Sequence, residues 1–143
     1  MVQNITTIEY LKEFNSLPKN SPASNRGVSP YTEAGGFKKG NSASYIELAN
    51  NEALKIAIIE SIEGLQKLPD ILNLDLIDVF YFGAYDLSVE LGCPGDTKNR
   101  EIINIIGDAA KLVNNAGKCP GGFVPKNREE VEWLIEPGMR FIT

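Results

Sequence analysis

The 143-residue sequence contains no histidine, and this absence restricts the catalysis that the chain can support by itself. Histidine is the commonest general base in enzymes and the usual proton acceptor of nucleophilic serine and cysteine sites. Schemes of the Ser-His-Asp or Cys-His kind are therefore excluded from this chain alone. Zinc is also disfavoured, because histidine and cysteine are the side chains that it prefers.

Cysteine and long apolar runs are scarce as well. Cys93 and Cys119 are too far apart for a CxxC motif, so we expect two free thiols in a reducing compartment. No apolar run approaches the roughly 20 residues that a membrane span needs. The N-terminal stretch MVQNITTIEYLKEF lacks the features of a signal peptide. We expect a soluble cytoplasmic protein with no membrane partner.

Positive charge is in deficit. The net charge is −5 at pH 7, and the basic residues are scattered along the chain. Such a surface repels nucleic acid on average, and no basic stripe offsets this repulsion. We therefore expect no nucleic-acid partner. A divalent cation is favoured by this charge, and a small anion can still bind locally.

Strand and helix patterns alternate along most of the chain. Thr6 or Thr7 can cap a helix over 8–17, and a second short helix is expected over 43–54. Between them, residues 18–42 form a long loop rich in proline, glycine, serine and asparagine, typical of a functional loop or of a linker. Beyond residue 54 the patterns predict strands over 55–60, 76–83, 118–124 and 139–143, with helices over 61–73, 99–117 and 127–138.

This alternation predicts one α/β domain over residues 1–143, with a parallel sheet and right-handed crossovers. A (β/α)₈ barrel and a doubly wound sheet both satisfy the pattern. No GxGxxG or GxxxxGK[ST] motif follows a strand, so the nucleotide-binding versions of these folds lose support.

Two carboxylates stand at the ends of successive predicted strands. Glu60 ends one strand and Asp86 follows the next, in FGAYDLS. Because neighbouring strands lie about 4.8 Å apart, two acids at their carboxyl ends can share one cation. Hard oxygen ligands with room for water suit Mg²⁺ or Mn²⁺. The alternative is structural: Glu60 caps the helix that starts at Ser61, and Asp86 is a turn residue.

The turn that contains Asp86 adds a possible anion site. Its successive backbone N–H groups can be directed at a substrate carboxylate beside the metal. The residues concerned are Gly83, Ala84, Tyr85 and Asp86. A 2-oxo acid held in this way would have its carbonyl next to a Lewis acid.

The block IIESIEGLQKLPDILNLDLIDVFYFGAYDLSVELGCPGD resembles the HpcH/HpaI aldolase/citrate lyase family, the class II metal-dependent pyruvate aldolases. The segments MVQN, RGVSPYTEAGGF and NAGK, the glycine pair at 121–122 and GMRFIT extend the resemblance over essentially the whole chain. The resemblance implies a (β/α)₈ TIM barrel, of which this chain supplies about strands 4/5 to 8, and a homo-oligomer.

The same resemblance implies a function. The family cleaves 4-hydroxy-2-oxo acids to pyruvate and an aldehyde, with a divalent metal stabilising the pyruvate enolate. Glu60 and Asp86 would be the metal ligands, with Mg²⁺ or Mn²⁺ bound. The backbone at Gly83, Ala84, Tyr85 and Asp86 would hold the carboxylate of the 2-oxo acid substrate.

The sequence also departs from the family pattern. The family's catalytic histidine and arginine would lie before Met1, so the chain reads as a half barrel: a fragment, a truncated or split gene product, or one half of a complementing pair. We expect it to be catalytically incompetent by itself, and to associate with further copies or with a complementing barrel half. Ile58 stands where the family often has glutamine, and Ala84 where it has proline. The alternative function is a non-catalytic, degenerate half barrel that serves as a binding or assembly module.

Overall fold

The computed structural model describes residues 42–122 and 127–143, together with Met1, Leu11, Ser29 and Tyr31. The helix predicted over 8–17 and nearly all of the loop predicted over 18–42 therefore lie outside the described residues. Leu11 is the exception in the first segment: it is helical and fully buried in the main core.

The described part consists of helices that alternate with strands. The helices are α1 (Ser42–Glu52), α2 (Ile62–Asn73), α3 (Ala84–Glu90), α4 (Arg100–Asn115) and α5 (Arg128–Ile135). The strands are β1 (Ile56–Ile59), β2 (Val79–Phe82), β3 (Cys119–Gly122) and β4 (Phe141–Ile142). All these elements were predicted from the sequence except α3, which was predicted as a turn.

The four strands form one parallel sheet in the order β1-β2-β3-β4. Ile59 pairs with Phe82 at the carboxyl ends of β1 and β2, and Tyr81 pairs with Gly121 in β3. Each strand therefore lies beside the next one in the chain, as βα units with right-handed crossovers require. The predicted parallel α/β sheet is confirmed.

One face of the sheet packs against helices and forms the main core. Ala57, Ile59, Phe80 and Phe82 alternate along β1 and β2 with side chains on this face, because successive strand residues point to opposite sides. The helices add a buried apolar stripe from α2 and α4: Leu68, Ile71, Ile102, Ile106, Ala109, Ala110 and Val113. Burying a side chain of this size contributes about 1.5–3 kcal/mol, so this stripe holds the helices on the sheet.

The apolar spacing along α4 predicts one buried stripe of Ile102, Ile105, Ile106, Ala109, Val113 and Ala116. This prediction is correct at its centre and wrong at one end. Ala116, predicted to share the buried face, is exposed, because it is the C-cap at which the chain turns away. Gly117 follows and donates its N–H to the carbonyl of Asn114 at 2.9 Å. The helix thus ends at Asn115 with Ala116 as its C-cap, and Gly117, which was predicted as the C-cap, is the next residue, with a φ of +74°.

The opposite face of the sheet carries an aromatic contact. Tyr81 and Phe141 meet edge to face, with ring centroids 6.5 Å apart. Gly121 lies between their strands, and a Cβ there would be 2.8 Å from the carbonyl oxygen of Phe141. The two rings can meet because Gly121 has no side chain. Both aromatic residues are half-buried.

Within the ranges given above, no helix combines the length and the apolar character that crossing a membrane requires.

Candidate metal and substrate site

Glu60 and Gly83 occupy equivalent positions just beyond two paired strands. The last pair of β1 and β2 is Ile59 with Phe82, and the N–H of Gly83 donates to the carbonyl of Ile59 at 2.9 Å. The parallel register therefore continues one residue past the strands. By alternation, position 60 lies on the same face as Ile58 and position 83 on the same face as Tyr81, which is the face opposite the helical core.

Gly83 leaves the space in which the two predicted ligands approach each other. A Cβ on Gly83 would lie 2.7 Å from Cβ of Glu60 and 3.6 Å from Oδ2 of Asp86. Glu60 and Asp86 thus lie close to one point, although 25 residues separate them in the chain. The missing side chain of Gly83 leaves a gap beside both residues. The structure brings together all three of these predicted site residues.

Asp86 lies in a helix and not in a simple turn, which corrects the sequence interpretation. Gly83 is the N-cap of α3, with φ −84° and ψ 80°, and offers no side chain to cap the helix. The first hydrogen bond of this helix runs from the N–H of Leu87 to the carbonyl of Gly83, at 3.1 Å. The N–H groups of residues 84–86 precede any acceptor within the helix and point away from its first turn. An acid at position 86 also suits the positive end of the helix dipole.

The structural alternative for Glu60 is wrong. Ser61 caps α2: its Oγ accepts the N–H of Gly64 at 3.1 Å, and its backbone is extended. The first N–H of this helix, that of Ile62, is accepted by Oε2 of Glu90 at 2.5 Å. Ser61 and Glu90 therefore accept two of the N–H groups at the start of α2. The sequence interpretation missed Glu90 because it did not predict α3, the helix that carries this side chain.

Exposure around the gap leaves a route for a small ligand. Glu60 and Gly83 are half-buried, and Asp86 is exposed. Ala84 is buried, so its contribution to the site can come only from its backbone. The Tyr85 side chain is 62% exposed, and Cε2 of its ring is 3.8 Å from where a Cβ on Gly95 would lie. Its ring therefore lies over the loop after α3, away from the gap at Gly83.

The donor set fits a hard divalent cation with an incomplete protein shell. Glu60 and Asp86 supply carboxylate oxygens, and the missing side chain of Gly83 leaves space beside both residues. In the part of the chain that the structure describes, no group of three or more acidic, cysteine or histidine side chains could hold a metal. Two carboxylates with the remaining positions left to water and substrate are the arrangement that Mg²⁺ commonly adopts.

A cavity of about 540 Å³ lies elsewhere in the molecule. It is lined by α4 residues such as Asn104 and Gly107 and by Pro137 and Met139, which precede β4. It is thus located towards the edge where the strands begin. The carboxylates are at the other edge, where the strands end, so the two features are distinct.

Comparison with known proteins places this geometry in a family context. The chain is 32% identical over 143 residues to a 4-hydroxy-2-oxo-heptane-1,7-dioate aldolase of Klebsiella pneumoniae subsp. pneumoniae, covering 99% of this chain and 52% of that protein. It is 29% identical over 142 residues to a 2-keto-3-deoxy-L-rhamnonate aldolase of the same organism, again covering 52% of the relative. The chain thus spans about half the length of the curated relatives that it matches.

Solved structures give the same result for the fold. The HpcH/HpaI aldolase from Desulfitobacterium hafniense DCB-2 superposes with a TM-score of 0.85 at 25% identity, over 99% of this chain and 54% of that one. A family protein from Burkholderia cenocepacia J2315 superposes with a TM-score of 0.82, also at 25% identity, over 56% of its length. The predicted partial TIM barrel is therefore confirmed.

The sequence model of one family covers nearly the whole chain. Its description is HpcH/HpaI aldolase/citrate lyase, and it matches residues 1–142. The chain therefore belongs to the HpcH/HpaI aldolase/citrate lyase family.

Proposed function

We propose that this chain carries the cation-binding and pyruvate-binding half of a divalent-metal-dependent carbon–carbon lyase. The substrate class is a 4-hydroxy-2-oxo acid, and the products are pyruvate and an aldehyde. One observation carries the proposal: Glu60 and Asp86, which follow the carboxyl ends of adjacent parallel strands, both lie beside the gap at Gly83. The names of the relatives, which are aldolases of oxo acids, support this reaction class.

In this proposal the carboxylates of Glu60 and Asp86 hold Mg²⁺ or Mn²⁺. The cation, when bound, polarises the substrate carbonyl and offsets the negative charge that develops as the carbon–carbon bond breaks. The backbone N–H groups of Ala84, Tyr85 and Asp86 would receive the carboxylate of the substrate. Support for this role comes from Gly83, which caps α3 without any side chain that competes for these N–H groups.

We infer that proton transfer needs residues other than those of this chain. The sequence has no histidine, and the family that it resembles uses a histidine and an arginine. The face opposite the helical core still has half-buried apolar side chains, among them Ile56, Tyr81 and Phe141. We infer that a complementing barrel half or a further copy of the chain covers this face. A reducing cytoplasm is inferred from the two free thiols of Cys93 and Cys119.

Binding of Mn²⁺, followed by electron paramagnetic resonance, tests the proposal. The chain should bind Mn²⁺ more tightly when pyruvate is present, and both Glu60→Gln and Asp86→Asn should abolish that binding. Asp108→Asn is the matched control, because Asp108 pairs with Lys111 on the exposed face of α4 and its loss removes the same charge. Equal binding by the wild-type chain and both site variants would refute the site.

A second assay separates binding from catalysis. The purified chain alone should release no pyruvate from a 4-hydroxy-2-oxo acid, because it supplies no general base of the family type. Robust pyruvate release by the homogeneous chain would contradict this expectation. A folded wild-type chain that binds no Mn²⁺ would favour the non-catalytic half barrel as a binding or assembly module.

A further inference from the structure

Ser88 is the buried polar side chain of the described core. It lies in α3, two residues after Asp86, and its exposure is 0%. A hydroxyl in such a place needs hydrogen-bond partners, because burying an unpaired polar group is costly. The Ser88 hydroxyl has two hydrogen-bond partners, and both are backbone groups of residues near the site.

The hydroxyl of Ser88 joins the first turn of α3 to the loop that follows this helix. Its Oγ donates to the carbonyl of Tyr85 at 2.5 Å and accepts the N–H of Gly95 at 2.8 Å. The carbonyl of Ser88 also accepts the N–H of Cys93 at 2.8 Å, and Gly92 donates to the next carbonyl of the helix. These last bonds form a Schellman-type helix end, which folds the loop back over α3.

The bond to Tyr85 affects Asp86 directly. The carbonyl of Tyr85 and the N–H of Asp86 belong to one planar peptide unit, so fixing the oxygen fixes the orientation of the whole unit. That unit ends at Cα of Asp86, from which the carboxylate reaches the gap at Gly83. The hydrogen bond from the N–H of Gly95 holds the Ser88 hydroxyl itself in place. Helix α3 has only seven residues, and a helix of this length is marginally stable by its own hydrogen bonds.

We propose that Ser88 is a positioning residue that sets the orientation of the Asp86 carboxylate towards the cation. This proposal rests on the proposed function, since it assigns Asp86 as a cation ligand. Ser88 touches neither the cation nor the substrate in this role. Its effect is transmitted through the peptide between Tyr85 and Asp86.

The experiment compares Mn²⁺ affinity in Ser88→Ala, Ser88→Thr and the wild-type chain. Loss of the hydroxyl should weaken Mn²⁺ binding about tenfold, the scale of one hydrogen bond that orients a charged group. Ser88→Thr keeps a hydroxyl that can bond the carbonyl one turn back, and should restore most of the affinity. The ¹H–¹⁵N signal of Asp86, measured without metal, should shift in Ser88→Ala and return towards its wild-type position in Ser88→Thr, because the carbonyl that Ser88 bonds belongs to the same peptide unit as this N–H.

Asn99→Ala is the control for a general loss of stability. Asn99 caps α4 through a bond from the N–H of Glu101 at 2.9 Å, so its removal also costs one side-chain hydrogen bond. This variant should lose stability and keep its Mn²⁺ affinity. A folded Ser88→Ala variant with wild-type Mn²⁺ affinity and an unshifted Asp86 signal would overturn the role of Ser88 alone. A wild-type chain that binds no Mn²⁺ would refute the proposed function, and the Ser88 proposal with it.

Discussion

Replacing Gly83 by alanine is the most informative single perturbation of this site. The added methyl group would lie 2.7 Å from Cβ of Glu60, well inside the ordinary contact distance between carbon atoms. The backbone at Gly83 has a negative φ of −84°, which alanine can adopt. The cost of the substitution is therefore steric, and it is concentrated where Glu60 joins the backbone.

The loss of stability expected for Gly83→Ala depends on how far Glu60 can move. Its Cβ is fixed to a backbone that continues β1, so relief requires a shift of the strand end rather than a side-chain rotation. Forcing an extra methyl group into such a contact costs typically about 1–3 kcal/mol. With a urea dependence of about 1–3 kcal/mol per molar for small proteins, the unfolding midpoint should fall by about 1 M.

Gly107→Ala is the matched comparison for this substitution. Gly107 lies inside α4, and a Cβ there would be 3.8 Å from Cβ of Pro137, which is an ordinary contact. Alanine is favoured over glycine inside a helix by roughly 0.5–1 kcal/mol, so this variant should be more stable than the wild-type chain. Urea titrations followed by circular dichroism measure both changes. If Gly83→Ala proved as stable as the wild type, the close approach of Glu60 and Gly83 would be refuted.

Three further predictions concern single backbone and charge contacts. Gly138→Ala should destabilise the chain by more than about 1 kcal/mol in urea titrations. The reason is that φ at this position is +91° and that a Cβ would lie 2.6 Å from Nδ2 of Asn114. An unchanged unfolding midpoint would contradict this prediction. Ser61→Ala should cost about 1 kcal/mol in the same assay through loss of the α2 cap, and an unchanged midpoint would refute that role. Lys118 lowers the pKa of Asp75 by a hydrogen bond and by its charge, so this pair stabilises the fold above pH 3.8 and progressively less below it. The small stability difference between the wild type and Asp75→Asn should therefore vanish at low pH in titrations from pH 7 to pH 2, and a difference that persists would count against the pair.

The sequence carries enough information to predict most of the sheet and the site. Short apolar runs such as VFYF in β2 are typical of buried strands in a parallel sheet that is covered by helices. Glu60 and Asp86 were predicted to meet because the carboxyl ends of parallel strands lie along one edge, and the gap at Gly83 agrees with that prediction. Periodicity also predicted α4, since its sixteen residues repeat the apolar pattern several times.

Helix α3 could not be predicted in the same way. Its seven residues are too few for a period to emerge, and its N-cap is a glycine without a capping side chain. Tertiary hydrogen bonds hold it in place: Ser88 bonds Gly95, and Glu90 bonds the N–H of Ile62. Such contacts connect residues up to 28 positions apart, and no local pattern in the sequence encodes them.

The most direct test of the central claim is paramagnetic broadening of amide signals by Mn²⁺ in the ¹⁵N-labelled chain. If Glu60 and Asp86 hold one cation, substoichiometric Mn²⁺ should first erase the signals of residues 60–61 and 83–86. It should spare those of residues 116–118, at the far end of α4. Broadening that begins elsewhere, or that is the same in Asp86→Asn, would contradict the assignment of these two carboxylates as a cation site.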